Sequence, residues 1–426
     1  MKLPKTLFAR RRYLHFDEPL SPAASESLAT SPVRVASWSF MPMLRWISQT
    51  RKVKRKADGT LEEKTKDRPI SYAAHKDAAI YSYYGHLLSG RYESELAAIG
   101  ISDSITAFRP DTGRCNIDFA HEALEWIRNQ GECVAIAFDI KSFFDKKAQW
   151  RRLLKVERLP DDHFAVFSSL TRFAFADRTA VFKEFGISPH NPRATGRSRI
   201  CSPNDFRERV RAKGLIQKNG NRYGIPQGSP MSAILSNIYM LDFDAAVSER
   251  VQAADGLYRR YCDDMLIVLS LEHAQDIEDL VMAQIKTVKL EIQPEKTKRQ
   301  HFRSNGDRLT VDEPLQYLGF LFDGARILVR NGSVSRYYRK MRAAVSLVVQ
   351  TKRKHDRIRA HQGKPLQQLK RRKLNIRYSY VGRHNFLSYA QRAAKKMSAP
   401  AIRKQVKRHW KKLNAEVDKV ATKLLL

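Results

Sequence analysis

Short apolar runs separated by polar turn signals characterise the middle of the chain. Residues 133–138 form an apolar run that ends at Asp139, which predicts a buried strand followed by a turn. Leu257–Val268 reads as two short apolar strands joined at a tight polar turn. Met231–Val247 carries apolar residues at helical spacing and predicts one long helix. The residues of this helical stripe are Ile234, Leu235, Ile238 and Leu241.

Two further regions show a clear pattern. Residues 51–56 are all basic except Val53 and precede Asp58-Gly59, a dipeptide typical of hairpin turns, so a β-hairpin tip is expected there. The last hundred residues place apolar side chains such as Val345, Leu347 and Val348 near helical spacing among many charges. Asn414–Leu426 is expected to form a final amphipathic helix.

Composition narrows the class of protein. The chain has 426 residues and is 42% hydrophobic, which is enough for packed cores. No run approaches the roughly 18 apolar residues that a membrane span requires. The Arg10–Arg12 triplet and Tyr13-Leu14 are followed by the mixed segment 15–19 and not by the roughly 7–15-residue apolar core of an export signal, so a cytoplasmic location is expected. No CxxC pair, HExxH zinc motif or GxxxxGK[ST] phosphate loop is present in the sequence.

Charge changes this picture most. The formal net charge is +34, and residues 331–426 hold 27 Lys and Arg against 3 acidic residues. Such an excess predicts a polyanionic partner, either nucleic acid or a membrane surface. A solvated helical face is the simpler reading of a short charge run. For an excess this lopsided we favour a helical module that lies along a phosphate backbone.

Three segments carry residues suited to catalysis. Asp139 ends the predicted central strand, Gly224–Pro230 is a loop rich in glycine and proline, and Asp263-Asp264 lies at a predicted hairpin tip. Adjacent carboxylates repel unless a cation lies between them, and Mg²⁺ binds one or two carboxylates together with substrate phosphates. An isolated Asp-Asp pair is usually an ordinary turn. The presence of all three segments in this order favours a metal site.

The three segments together resemble the reverse transcriptases of bacteria and mobile introns. Phe138–Asp145 is similar to motif A of that family, Gly224–Pro230 to motif B, and Tyr261-Cys262-Asp263-Asp264 to the Tyr-x-Asp-Asp of motif C. Leu290–Thr297 is similar to motif D of the family, and Gln316–Phe320 to motif E. The similarity covers roughly residues 50–330.

A narrower resemblance concerns the defence-associated reverse transcriptases of bacteria. Arg12–Asp17, Lys66–Ile70 and Ala107–Arg109 are together most like the type 2 members of that antiphage group. This resemblance implies an enzyme that copies a dedicated non-coding RNA into cDNA during antiviral defence. The implied partners are the template RNA, the RNA–DNA hybrid product and dNTPs, with no membrane; no protein partner is identifiable.

The family resemblance implies a role for each motif residue. Asp139, Asp263 and Asp264 are expected to be catalytic and to bind two Mg²⁺ ions, with Mn²⁺ as a substitute. The residues expected to bind the incoming nucleotide are Lys66, Arg68, Phe144, Gln227, Gly228 and Lys296. Among them, Phe144 is expected to exclude a ribose 2′-OH, and Lys66 and Arg68 to bind the β- and γ-phosphates. Ordinary core packing is the alternative for Phe144, and a solvated turn is the alternative for Lys296.

The implied fold class is α+β with the right-hand fold of polymerases. The expected segments are an N-terminal extension packing on the fingers (1–49), fingers (50–130), a palm with the catalytic motifs (131–330) and a basic helical thumb (331–426). Two alternatives stay open. One is a retron- or group II intron-type reverse transcriptase, although no clear retron Val-Thr-Gly and no HNH segment is found. The other is a non-catalytic RNA-binding scaffold, which has no physical need for clustered carboxylates beside RNA.

Overall fold

The computed structural model describes residues 3–4, 6–55, 58–109, 112–141, 147–221, 224–293, 295, 297–306 and 308–422. None of the helices in these ranges is both long and apolar enough to cross a bilayer. The helices are α1 Pro22–Ala29, α2 Pro32–Ala36, α3 His75–Ala98, α4 Asn116–Gln130, α5 Lys147–Leu154, α6 Asp161–Thr171, α7 Arg178–Glu184, α8 Pro203–Asp205 with a following π-helical turn Phe206–Arg211, α9 Ser232–Tyr239, α10 Leu241–Ala253, α11 Ala274–Thr287, α12 Asn331–His361, α13 Arg372–Tyr378, α14 Phe386–Lys396, α15 Pro400–Val406 and α16 His409–Thr422.

The strands form three sheets. They are β1 Met43–Arg55, β2 Leu61–Tyr72, β3 Cys133–Lys141, β4 Ala174–Asp177, β5 Ile216–Lys218, β6 Leu257–Tyr261, β7 Asp264–Leu269, β8 Glu291–Ile292, β9 Lys298–Asn305, β10 Arg308–Thr310, β11 Leu315–Tyr317, β12 Phe320–Phe322 and β13 Ile327–Val329. Helices and mainly antiparallel strands alternate in groups, so the predicted α+β class is confirmed.

The chain forms two compact units that interleave in sequence. The first unit comprises Met1–Ser102, Lys141–Ala246 and Gln284–Glu291, and the second comprises the remaining segments. This division differs from the four segments predicted from the sequence. In addition, β1 already begins at Met43, so the expected boundary between residues 49 and 50 falls inside a strand. The assignment of fingers, palm and thumb stays a prediction.

The first unit contains a sheet with strand order β2-β1-β4-β5. Strands β1 and β2 form a long antiparallel hairpin whose turn includes Asp58-Gly59, which confirms the predicted hairpin. Gly59 adopts φ 82, a left-handed conformation that glycine reaches without a steric penalty. A core of Leu44, Ala176 and Phe206 packs behind this sheet.

The N-terminal residues pack against α3 within the first unit. The carboxylate of Asp17 accepts the backbone N–H groups of His75 and Lys76, both at 2.9 Å, and so caps the start of α3. Trp38 Nε1 donates to Asp77 Oδ1 at 2.8 Å. Burial raises the pKa of Asp77 to about 7, while this indole donor and a backbone N–H act in the opposite direction. The segment before β1 is therefore an integral part of the unit.

The second unit is built on a sheet with strand order β10-β9-β3-β7-β6. Strand β3 is its central element, and Val134 and Ile136 are fully buried. The predicted buried strand at 133–138 is thus confirmed. A smaller antiparallel sheet, β11-β12-β13, shares a core with α4 and the C-terminal helices.

The C-terminal basic region is helical, as predicted. Val345 is fully buried on α12, and Leu387 on α14 is buried in the same core. Leu347 was expected on the apolar face, but its side chain is 64% exposed. The final helix α16 begins at His409, earlier than the expected Asn414, and residues 423–426 lie outside the described ranges.

The single helix predicted for residues 231–247 is wrong. The structure has two helices there, α9 and α10, which meet at Met240. The Met240 N–H bonds to the carbonyl of Asn237 three residues earlier, which tightens and ends the first helix. Asp242 and Asp244 in the first turn of α10 favour the start of a new helix, because its N-terminus carries a partial positive charge.

Candidate active site

Two neighbouring strands of the second unit bring the three predicted catalytic carboxylates to one end of the sheet. In the antiparallel pairing of β3 with β7, Asp139 is the direct partner of Asp264. Directly opposed residues in such a ladder have Cα atoms roughly 4.5–5.5 Å apart. The Ile140 N–H also donates to the Asp263 carbonyl at 3.1 Å. Residues that are more than a hundred positions apart in sequence are therefore adjacent.

The hairpin between β6 and β7 presents Asp263 and Asp264. Tyr261 pairs with Asp264, which leaves Cys262 and Asp263 as a two-residue turn. Cys262 adopts φ 55, a left-handed conformation that costs a residue with a Cβ about 1–2 kcal/mol. Such a conformation persists only where the surroundings hold it.

Arg260 is a buried side chain that supports this turn. It is 0% exposed, and its Nη1 donates to the Cys262 carbonyl at 3.3 Å. Its backbone is also tied to residues 104–106: the Arg260 N–H donates to Ser104 at 2.8 Å, and Thr106 N–H donates to Arg260 at 3.0 Å. Sequence reasoning missed this residue. The available signal was an arginine at an inward-facing position of an alternating strand.

The three carboxylates differ in exposure. Asp263 and Asp264 are exposed, whereas Asp139 is half-buried. Burial raises the pKa of the neighbouring Cys262 thiol to about 12, so this cysteine is a neutral thiol at physiological pH. The same cause, burial, raises the pKa of Tyr261. Ionisable chemistry at this end of the sheet therefore rests on the carboxylates.

The carboxylates fit a divalent cation by the chemistry of their donor atoms. All donors are oxygens, which suit a hard ion such as Mg²⁺. Among the described residues, no group of three His, Cys, Asp or Glu side chains is arranged as a ready metal site. Mg²⁺ takes few protein carboxylates and completes its shell with water and substrate phosphates.

A loop after β8 also touches this region. The Gln293 N–H donates to the Asp139 carbonyl at 3.1 Å, and the Thr297 N–H donates to the Gln293 carbonyl at 3.1 Å. Gln293 is thus attached to the strand that carries Asp139, and Thr297 is bonded to Gln293. Lys296 itself lies outside the described residues, as does Phe144.

The other predicted nucleotide-binding residues lie in the first unit. Lys66 and Arg68 are two positions apart on β2 and therefore point to the same face of the hairpin. Lys66 is exposed; Arg68 is half-buried, and its Nη1 lies 3.5 Å from Thr50 Oγ1. Lys64, a weaker candidate, forms a 3.3 Å ion pair with Glu62.

The structure joins the end of β2 to the loop that carries Gln227 and Gly228. The Ser71 N–H donates to the Gln227 carbonyl at 2.8 Å. Gly228 has φ 112, and a Cβ at this position would lie 2.5 Å from the Ser71 carbonyl oxygen. Only glycine permits so close an approach of two backbones. The exposed Gln227 and Gly228 thus lie beside the base of the hairpin that carries Lys66 and Arg68.

Comparison with known proteins decides the class of domain. Residues 172–322 match the family model described as "Reverse transcriptase (RNA-dependent DNA polymerase)". The chain carries a reverse transcriptase domain. For the matched residues this implies RNA-directed DNA polymerase activity, in agreement with the predicted enzyme class. The mixed helices and strands agree with the predicted α+β fold class. No curated protein matches the sequence.

Three solved telomerase structures are similar to this chain. Apo telomerase from Candida tropicalis truncated from its C-terminal domain has 10% identity and a TM-score of 0.39 over 72% of this chain and 60% of that chain. Apo telomerase from the same organism has 12% identity and a TM-score of 0.36 over 70% and 52%. Candida albicans telomerase in complex with a fragment of telomeric RNA has 11% identity and a TM-score of 0.39 over 94% and 66%. The chain thus spans about three fifths of the first of these.

The family match and the structure contribute different parts of the site. The matched range contains Gln227, Gly228, Asp263 and Asp264 but begins after Asp139. The reverse transcriptase domain is linked to Asp139 by the strand pairing of β3 with β7. The identity of the third carboxylate therefore depends on tertiary structure and not on the match.

Proposed function

We propose that this protein synthesises DNA on an RNA template, with Asp139, Asp263 and Asp264 as the residues that hold the divalent ions. The observation that carries the proposal is the register of Asp139 against Asp264 in a chain that contains a reverse transcriptase domain. Two carboxylate-bearing strands that end side by side give the fixed spacing which in-line phosphoryl transfer requires.

The carboxylates act by holding positive charge where negative charge develops. When bound, divalent ions such as Mg²⁺ would supply the positive charge that stabilises the attacking and leaving oxygens of the displacement. Asp139 and Asp263 would provide the principal ligands, and Asp264 would complete the negative charge of the site. The turn at Cys262, supported by Arg260, keeps Asp263 at the tip of its hairpin.

The first unit provides residues for the nucleotide itself. Lys66 and Arg68 lie on one face of β2 and would bind the triphosphate, where the planar guanidinium of Arg68 suits two phosphate oxygens. Gln227 and Gly228 would lie against the nascent base pair. The close backbone contact of Gly228 with Ser71 supports this role, because it links the loop rigidly to the strand that carries the two cations.

Primer extension on an RNA template tests the proposed reaction. We expect the purified chain to extend a DNA primer with dNTPs in Mg²⁺ and to stop when EDTA removes the ion, because the carboxylates alone provide no positive charge to the reacting phosphate. Restoring Mg²⁺ or adding Mn²⁺ should restore extension. Extension that is unaffected by EDTA would contradict the metal assignment. Extension on a DNA template but not on an RNA template would contradict the template assignment.

Phe144 provides a test of sugar selectivity. We propose that Phe144, which lies outside the described residues, selects against nucleotides that carry a ribose 2′-OH. Replacing it, Phe144→Ala, should allow ribonucleotide incorporation, measured as the ratio of kcat/KM for a dNTP to that for the matching NTP. Phe143→Ala is the matched control because it removes the neighbouring ring. An unchanged ratio in Phe144→Ala would reject the proposed role of Phe144 in sugar selection.

Antiviral defence with a dedicated non-coding RNA is the finer part of the proposal. It is supported by the resemblance of Arg12–Asp17, Lys66–Ile70 and Ala107–Arg109 to the type 2 defence-associated group. The basic helices α12–α16 offer a long cationic surface for a structured RNA. Sequencing the nucleic acid that co-purifies with the protein distinguishes this proposal from the retron or intron alternative. One abundant non-coding RNA encoded next to the gene for this chain supports antiviral defence, and a retron RNA or an intron overturns it.

A further inference from the structure

A pocket in the second unit lies outside the candidate active site. Its volume is about 710 Å³, within the range of small-molecule sites. The turn Leu318-Gly319 between β11 and β12 forms one side, the first turns of α12 form another, and the segment from Ile376 to Tyr389 closes it. No residue of this pocket belongs to the predicted catalytic or nucleotide-binding set.

Aromatic rings form the walls of the pocket. Tyr337 and Phe386 stack with centroids 5.0 Å apart and an interplanar angle of 27°. The Tyr337 hydroxyl donates to the Tyr378 carbonyl at 2.8 Å, which fixes the wall on the opposite side. Tyr378, Phe386 and Tyr389 are only half-buried, so the rings retain surface that a ligand can cover. Rings of this kind provide stacking area for a planar group.

Cations surround the opening of the pocket. Arg336, Lys340, Arg377 and Arg383 line it and are all exposed, and no acidic residue is among the lining residues. Within the described ranges, none of these four side chains forms an ion pair with a carboxylate. By contrast, Arg152 in the first unit pairs with both Glu95 and Asp242. Four cations around one opening without a protein counter-charge favour an anionic ligand.

Hydrogen bonds hold the pocket in shape without a ligand. Asn116 Nδ2 donates to the Leu318 carbonyl at 3.1 Å and lies 2.9 Å from the Tyr389 hydroxyl. Asn385 Nδ2 bridges the carbonyls of Ile376 and Ser379 at 3.0 and 2.7 Å. Contacts of this kind reduce the ordering cost of binding, because the walls are already in place.

We propose that this pocket binds one unstacked nucleotide of an RNA strand, with the base against the aromatic walls and the phosphate at the cationic opening. Single-stranded RNA is commonly recognised by stacking of splayed bases on aromatic rings, whereas an A-form duplex offers mainly its backbone. Aromatic walls and a purely cationic opening match both halves of a nucleotide. The inference rests on the proposed RNA partner and specifies a site for it whose lining residues do not include the three carboxylates.

The experiment compares Tyr389→Leu with Tyr389→Phe in the full-length chain. The leucine variant removes the ring, and the phenylalanine variant retains it and removes only the hydroxyl. Fluorescence anisotropy measures binding of a labelled RNA hairpin with one bulged nucleotide and of the same hairpin fully paired. For the bulged hairpin we expect Tyr389→Leu to weaken binding about 10- to 100-fold, as loss of a base–aromatic stack does. Tyr389→Phe should weaken it much less, because the ring remains and Asn116 keeps its hydrogen bond to the Leu318 carbonyl.

A double substitution of exposed arginines at the pocket opening provides a second test that does not alter the core. Arg377→Gln with Arg383→Gln should weaken binding of the bulged hairpin more than Arg353→Gln with Arg357→Gln, exposed arginines of α12 outside the pocket. This comparison stands if Tyr389→Leu proves unstable by thermal melting. Equal losses of affinity in the two double arginine variants, or equal binding by the two Tyr389 variants, would overturn the proposed nucleotide site. Neither result would contradict RNA-directed DNA synthesis.

Competition identifies the source of the nucleotide. AMP at millimolar concentration is tested as a competitor of the bulged hairpin. If AMP displaces the hairpin from the wild-type chain but competes less in Tyr389→Leu, the pocket binds a nucleotide that need not belong to a strand. Competition by oligonucleotides alone supports a strand-borne nucleotide. Equal displacement by poly-glutamate would overturn the nucleotide assignment in favour of a general anion surface. A wild-type chain that binds neither hairpin would overturn the RNA partner and the pocket together, even if primer extension on a paired template continues.

Discussion

Replacing Asp263 and Asp264 together with alanine is expected to abolish dNTP incorporation while RNA binding persists. The two carboxylates end the β6–β7 hairpin, and Asp264 faces Asp139 across the ladder. Without them the proposed divalent ions would lose two of their three protein carboxylates. A loss of about 4 kcal/mol of transition-state stabilisation corresponds to roughly a thousandfold fall in rate, and we expect at least this in single-turnover primer extension.

RNA affinity should change little in this variant, because the removed groups are anions and the RNA is expected to contact cations. Anisotropy with the unextended template measures it, and thermal melting checks that the variant folds. Glu272→Gln is the matched control, since Glu272 is an acidic residue of the same unit whose side chain is 75% exposed. Normal synthesis by the double variant, or an equal loss in Glu272→Gln, would reject the metal assignment.

Substituting alanine for Gly228 is the second change with a large expected effect. A Cβ at this position would lie 2.5 Å from the Ser71 carbonyl oxygen, and φ 112 is itself unfavourable for alanine. Strain in such regions costs of order 1–3 kcal/mol. The chain can relieve the clash only by moving the loop away from β2, which breaks the hydrogen bond between Ser71 and Gln227.

We therefore expect Gly228→Ala to lower both the melting temperature and kcat/KM for dNTPs. A displacement of about 1 Å near reacting groups is enough for roughly a hundredfold loss of rate. Gly220→Ala is the control, because Gly220 has open space around its Cα and no positive φ. A Gly228→Ala variant that melts and polymerises like Gly220→Ala would mean that the contact between loop and strand does not position the nucleotide.

The local elements could largely be predicted from the chain. The apolar run at 133–138, the Asp58-Gly59 turn and the two strands around Cys262-Asp263 all appear as expected, because each depends on a few neighbouring residues. The helix expected at 231–247 failed for a related reason. Its apolar stripe continues across Met240, so the pattern does not reveal the break between α9 and α10.

Non-local features could not be predicted in this way. The burial of Arg260 depends on segment 104–106 pairing with β6, and the role of Gly228 depends on its contact with Ser71. Sequence spacing contains no information about which distant backbone approaches a given residue. The interleaving of the two compact units could not be predicted either. Strands β3 and β7 belong to the second unit, although α9 of the first unit lies between them in sequence.

The sequence by itself determined the motif order, the basic C-terminal region and the three carboxylates as candidates, because residue identity and short-range periodicity are written directly in the chain. Only the tertiary structure decided that Asp139 and Asp264 are ladder partners, since strand register is set by the packing of two strands more than a hundred residues apart. The pocket beside Leu318-Gly319 was likewise decided by folding, because its aromatic and cationic residues come from α12 and from the segment Ile376 to Tyr389, which are separated in sequence from Asn116 and Leu318-Gly319 in the same lining.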